Sequence, residues 1–508
     1  MILANATGTF TDPTDNTAIT DDTNLTDGSG AINVTGSSTS YSWTNASAGT
    51  HYYFKIYAYG TSAQNYYTSG TPATVNAYTL ALEPTKDVTG FSVSGVTGTS
   101  VTVSWTNQAD GNRTNYVILA NTTGTFTDPT DNNAISDDTN LTDGSGAINV
   151  LGSATSYSWT NASSSTTYYF KIYAYASPAQ NYYTSGTPAT ANGETLAPEP
   201  TKDATGFSVS AVTATSINVS WTNQADANRT NYVILANTTG TFTDPTDNTA
   251  ITDDTNLTDG SGAINVAGSA TTYSWTNASA ATHYYFKIYA YGTSPQNYYT
   301  SGTPATSNGF TLSTEPSNNV STINNGTITT TSIDLSWSAA TGANGYIILI
   351  ATGGSAPAAT NLTDGTDPTG ATGYKANVTS TSTTISGLSV YTTYSFTVVP
   401  YAWDGANAGT YNFRTSDAST LTSITTLGIV PTVTTDNVSS ITDVAATVQG
   451  NISATGTPSP TARGILFYTY DGTDKILTDG GITTSEDTPG PYSTGTFTKN
   501  LTLVSETQ

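Results

Sequence analysis

Residues Thr167–Tyr175 read TYYFKIYAY, and their alternation decides the fold class. Successive side chains of a strand point to opposite faces. Tyr168, Phe170, Ile172 and Ala174 then share one face, and Tyr169, Lys171, Tyr173 and Tyr175 the other. The strand therefore has two different faces, one apolar and the other largely aromatic. Near-copies stand at Tyr52–Tyr59 and Tyr284–Tyr291, and an altered one at Tyr394–Tyr401.

Working outward, the same order of residues repeats. Trp43, Trp159 and Trp275 lie 116 residues apart, as do Pro84, Pro200 and Pro316. Three copies are nearly identical, and a diverged fourth carries Trp337, Tyr346 and Tyr394. Self-similarity at a fixed period marks a repeat architecture. Met1 falls where Val117 and Val233 stand later, so the chain is expected to open inside a strand of copy one. Leu501–Gln508 is expected to stop where a final pair of strands should begin. The expected modules are 1–81 (truncated), 88–196, 204–312, 317–426 and a truncated fifth β-sandwich at 430–508. Within copy three, Phe207–Ser210, Ser216–Trp221, Tyr232–Asn237, Thr271–Trp275, Tyr284–Tyr291 and Thr303–Leu312 read as strands. Proline marks the short linkers Leu82-Glu83-Pro84, Pro198-Glu199-Pro200 and Thr314-Glu315-Pro316. They are expected to restrict motion without abolishing it.

Composition agrees with an all-β chain of several domains. Charged residues are 9% of 508, aromatics 10%, and the formal net charge is −24. Strand-forming Thr, Val, Ile and Tyr alternate with turn-forming Asn, Asp, Gly and Ser. The acidic balance opposes nucleic acid and anionic membranes as partners. With no cysteine, disulfides and zinc–thiolate sites are excluded. No apolar run approaches the roughly 18–20 residues of a membrane-spanning helix, so direct membrane insertion is not expected.

The pattern resembles fibronectin type III domains over residues 1 to 426. Trp105, Trp221 and Trp337 match the family's second-strand tryptophan, and Tyr116, Tyr232 and Tyr346 its third-strand tyrosine. Tyr52, Tyr168, Tyr284 and Tyr394 match the tyrosine corner. Leu388 matches the leucine before that corner; Ala46, Ala162 and Ala278 depart there, with Trp43, Trp159 and Trp275 placed to fill the volume. GTFTDPTDN, DGSG and TYYFKIYAY resemble, more narrowly, the repeats of exported multi-modular proteins of Bacteroidota. Tail residues Ala446–Gly450, Ala462-Arg463-Gly464 and Gly495–Leu501 resemble another module of such proteins. The resemblance implies tandem immunoglobulin-like β-sandwiches, arranged as beads on a string and secreted or held at the cell surface.

Three stretches are candidates for chemistry. The insertion Thr122–Val150 carries Asp128, Asp131, Asp137, Asp138 and Asp143, repeated in copies one and three. Clustered carboxylates beside a glycine turn suit calcium. Their spacing misses the calcium-loop pattern, and the plainer reading is turn capping and solubility. Copy four keeps Asp364 and Asp367. Outward Tyr169, Tyr173 and Tyr175, with Val117 and Leu119 beside them, make either a platform for a glycan or protein partner or a face covered by Phe126, Ile135 and Leu141 of the insertion. His51 and His283 stand where copy two has Thr167, which argues against catalysis. Asn-x-Ser/Thr sites such as Asn5, Asn24, Asn33, Asn45 and Asn121 follow from the abundance of Asn and Thr. No nucleophile triad, phosphate loop or paired glutamates are present. The expected function is a non-catalytic extracellular spacer. The alternatives are an adhesion module for glycans or cell-surface proteins, and accessory modules of an exported hydrolase.

Overall fold

The computed structural model describes residues 1–468, Thr473, Leu477 and 482–503. Copy two shows the plan. Its strands are β1 (Thr89–Val96), β2 (Val101–Thr106), β3 (Asn115–Asn121), β4 (Ser145–Leu151), β5 (Ser156–Trp159), β6 (Thr167–Ala176), β7 (Asn181–Tyr182) and β8 (Thr190–Glu194). One sheet runs β5-β2-β1; the other runs β4-β3-β6-β7, with β8 also on β6. All these pairings are antiparallel. Ile172 stands opposite Ile118, and Tyr173 opposite Val117.

The core between the sheets gathers Val101, Val103 and Trp105 from β2, Tyr116 and Ile118 from β3, and Tyr168, Phe170 and Ile172 from β6. The Tyr168 hydroxyl donates to the Leu141 carbonyl at 2.8 Å and accepts from the Ser163 N–H at 3.0 Å. A buried phenol is thereby satisfied twice, and two loops are fixed to β6. Trp159 packs 5.2 Å from Phe170, and Ala162 belongs to the same core.

Copy three repeats this arrangement. Copy four keeps both sheets but folds its insertion through 3-10 turns at Ala359–Asn361 and Pro368–Gly370. There Ile385 takes the place of Trp275, nine residues before the corner tyrosine, and Leu388 that of Ala278. Copy one contributes a four-stranded sheet and a two-stranded ladder of Tyr59–Gly60 with Asn65–Tyr66, with Trp43, Tyr52 and Phe54 lining an open apolar cavity of about 470 Å³. The last module has a sheet of Thr432–Ser439, Ala445–Ala454 and Gly495–Thr502, and a ladder of Arg463–Tyr468 with Ile482–Asp487. Residues 504–508, part of the expected stop before a final strand pair, lie outside the described residues.

Two strands were not expected. Strand β4 occupies the second half of the insertion, because Ile148 faces the core while Asn149 turns to the other face. Gly144, at φ +93°, makes the turn into it. A Cβ on Gly146 would come within 2.6 Å of the Leu141 side chain, so the glycine there is a packing requirement. Short strand β7 begins the closing stretch, which the sequence had placed later.

Candidate functional site: the insertion and the inter-module joint

The outer face of β6 is covered. Val117, Tyr173, Tyr175 and Tyr182 form a second buried cluster, with Leu119 and Ile135 packed against it. Tyr173 is 0% exposed and Tyr175 6%. Copies one and three build the same cluster around Tyr57 and Tyr289. Of the three residues expected as cover, only Ile135 lies here. Leu141 turns into the main core, and Phe126 is half-buried elsewhere. Tyr182, arriving from β7, supplies the remaining apolar surface. Tyr169 is half-buried, its ring facing Gly124, where a Cβ would come to 3.2 Å. The three candidate ligand-binding tyrosines therefore do not form one exposed platform.

The five candidate calcium ligands are dispersed. Asp128 takes both Lys171 Nζ, at 2.8 Å, and the Tyr173 hydroxyl, at 2.5 Å. Asp131 accepts from the Tyr182 N–H at 2.8 Å. Asp137 accepts from the Asn149 backbone and amide, both at 2.8 Å. Asp138 and Asp143 cap Asn140 and Ser145 at 3.1 Å. Among the described residues no group of three or more His, Cys, Asp or Glu could hold a metal ion. Each carboxylate has its own protein donor, so the shared ligand set expected for calcium is not assembled. Asp367, in copy four, likewise caps Thr369.

The insertion is pinned by its acid end. Hydrogen bonds from Lys171 and Tyr173 hold the Asp128 carboxyl below its usual range. Burial pushes the Tyr173 and Tyr175 phenols up to about 12, and Tyr291 likewise to about 12. These groups favour the neutral phenol in the folded state. Their contribution is complete below the ordinary tyrosine range and is lost as pH rises toward about 12. An ultraviolet titration is expected to show part of the phenolate signal delayed to about pH 12 and arriving with loss of tertiary structure. Complete ionisation by about pH 10.5, roughly the unperturbed tyrosine range, with the fold intact would contradict the burial.

The histidines serve packing. His283 stacks on Phe310 at 4.1 Å and contacts Asn308 Oδ1 through Nε2 at 2.9 Å; His51 does the same with Tyr78 and Asn76.

A site that sequence reading missed lies where the copies meet. The Ala81 N–H donates to the Ala179 carbonyl at 3.2 Å, and the Ala81 carbonyl accepts from Asn181 Nδ2 at 2.9 Å. At the next joint Ala197 donates to the Pro295 carbonyl at 3.2 Å and accepts from Asn297 at 2.7 Å. At the third, Ser313 donates to Thr410 at 2.9 Å and accepts from Asn412 at 2.7 Å. One residue at the end of each copy is thus held at both backbone groups by the β6–β7 hairpin of the next, or its equivalent. Ala81, Ala197 and Ser313 are buried, as are Pro84, Pro200 and Pro316. Linker carbonyls of Glu83 and Glu199 accept from Asn112 and Asn228 at 2.9 Å. Arg414 lies 3.5 Å from Glu315 at the third joint. The available signal was Asn181-Tyr182 and Asn297-Tyr298 persisting as Asn412-Phe413 in copy four, where neighbouring residues change.

The fibronectin type III domain model matches residues 86–188 and 198–303, so the chain carries fibronectin type III domains in tandem. Among solved structures it is similar to the FN1–FN3 domains of chicken CNTN1, at 14% identity over 68% of this chain and 100% of that one, with a TM-score of 0.23. It is also similar to a two-domain fibronectin type III segment of chicken tenascin, at 16% identity over 44% of this chain and 100% of that one, TM-score 0.23. No curated protein matches.

Proposed function

We propose that the chain is a non-catalytic spacer of a larger exported, extracellular protein, whose modules hold other parts of that protein at set separations. The observation that carries this reading is the joint, built the same way three times from residues about 116 apart. A spacer works only if its links resist bending, and each joint replaces free linker rotation by two hydrogen bonds around a buried residue. The adhesion alternative draws on Tyr169, Tyr173 and Tyr175, and two of these lie beneath the insertion.

The chain has no cysteine, so introduced pairs can be spin-labelled selectively. Labels at exposed Ser94 and Ser210 span the joint between copies two and three. A narrow distance distribution is expected in the whole chain. Asn297→Ala removes the amide donor, at a cost of about 1 kcal/mol, and is expected to broaden it. A wild-type distribution as broad as that of a free tether would overturn the spacer reading.

A further inference from the structure

We infer that the acid-rich insertion is the brace of the inter-module joint: it holds the clamping hairpin of its own module in position for the preceding one. The inference rests on the spacer reading and assigns a role to the insertion. In each receiving module the clamping asparagine is gripped on both sides. The residue after it donates its N–H to an insertion carboxylate: Tyr182 to Asp131 at 2.8 Å, Tyr298 to Asp247 at 2.7 Å, Phe413 to Asp364 at 2.7 Å. Just before it, a carbonyl accepts from the next residue of the insertion: Gln180 from Asn132 at 2.8 Å, Gln296 from Asn248 at 2.9 Å, Tyr411 from Gly365 at 2.8 Å.

Asn132, Asn248 and Gly365 all have positive φ, at 57°, 58° and 70°. Asparagine and glycine are the residues that adopt this conformation at least cost. Copy four gives the independent observation. Its insertion has another sequence and runs through 3-10 turns, yet it arrives at the same two struts. The insertion also reaches the preceding module. Asp247 and Asn297 share a cleft with Thr97 and Leu196 of copy two and Pro198 of the linker, and a Cβ on Gly365 would meet the Leu312 side chain at 3.6 Å.

The test uses the whole chain labelled at Ser94 and Ser210, with a second pair inside copy three at Ser210 and Thr252 as the check on folding. Asp247→Ala is expected to widen the inter-module distribution at least twofold while the pair within copy three stays narrow. Asp259→Ala removes a turn cap of the same insertion that bonds only Ser261, and is expected to leave both pairs narrow. Asp247→Asn keeps an acceptor and is expected to restore the narrow joint. An unchanged joint in Asp247→Ala, or equal broadening in Asp259→Ala, would overturn the brace. A broad joint in the unmutated chain would instead overturn the spacer reading beneath it. Should Asp247→Ala fail to fold, Asp131→Ala read across the preceding joint decides by the same outcomes.

Discussion

Tyr173→Ala is expected to lower the stability of copy two by about 3–5 kcal/mol, as truncation of a fully buried aromatic side chain does. Tyr173 is 0% exposed, packs with Val117, Tyr175 and Tyr182, and donates its hydroxyl to Asp128. Alanine there opens a void between sheet and insertion and frees the insertion's acid end. Urea unfolding of copy two should show the loss, and limited proteolysis should cut within 122–150 before the β-sandwich unfolds. Tyr173→Phe removes only the hydroxyl, whose partner Asp128 stays half-exposed and bound to Lys171; about 1 kcal/mol is expected. A Tyr173→Ala protein within about 0.5 kcal/mol of wild type, the ordinary surface range, would mean that the face is open. The adhesion alternative would then regain its platform.

The second large effect lies in the main core. Trp275→Ile is expected to destabilise copy three by about 2–4 kcal/mol, through lost burial and an unfilled cavity. The Trp275 indole N–H has no hydrogen-bond partner, so the substitution leaves no acceptor orphaned. Copy four fills the corresponding space differently, with Ile385 and Leu388 in place of Trp275 and Ala278. Ala278→Leu alone overpacks beside the tryptophan and is expected to cost about 1–3 kcal/mol. Together the two changes are expected to cost less than their sum, with a coupling of about 1–3 kcal/mol. Strict additivity in denaturant unfolding would show that the two positions do not share one volume.

These two cores differ in how openly the sequence announces them. Alternation along Thr167–Tyr175 points to a two-faced strand directly, because core burial imposes a period on local sequence, while Trp105, Tyr116 and Tyr168 point to the sandwich through their resemblance to fibronectin type III positions. The fate of the outer tyrosines was legible only as a choice, since cover by the insertion depends on a fold-back that leaves no period. Strand β4 was hidden by its composition: Asn149 and Ser145 read as loop, although Asn149 is held by Asp137 across the insertion. The joint was least legible. Asn181 and Ala81 are 100 residues apart, and a side-chain amide bound to a carbonyl leaves no pattern in composition. Clustered aspartates suggested a cation because sequence gives their proximity along the chain but not the direction of each carboxylate. In the fold they diverge, each to a different N–H, amide, ammonium or hydroxyl donor.

The central claim is that repeated joints make repeated spacing. The most direct measurement is the distance between spin labels at Ser94 and Ser210, compared with that between labels at Ser210 and Asn325, in the otherwise unmodified chain. Each pair spans one joint from exposed residues near the start of neighbouring modules. The account predicts a single narrow distribution for each pair, unchanged by salt, because buried backbone and amide bonds are screened little. Broad distributions at both joints, extending to the reach of a freely jointed linker, would contradict it.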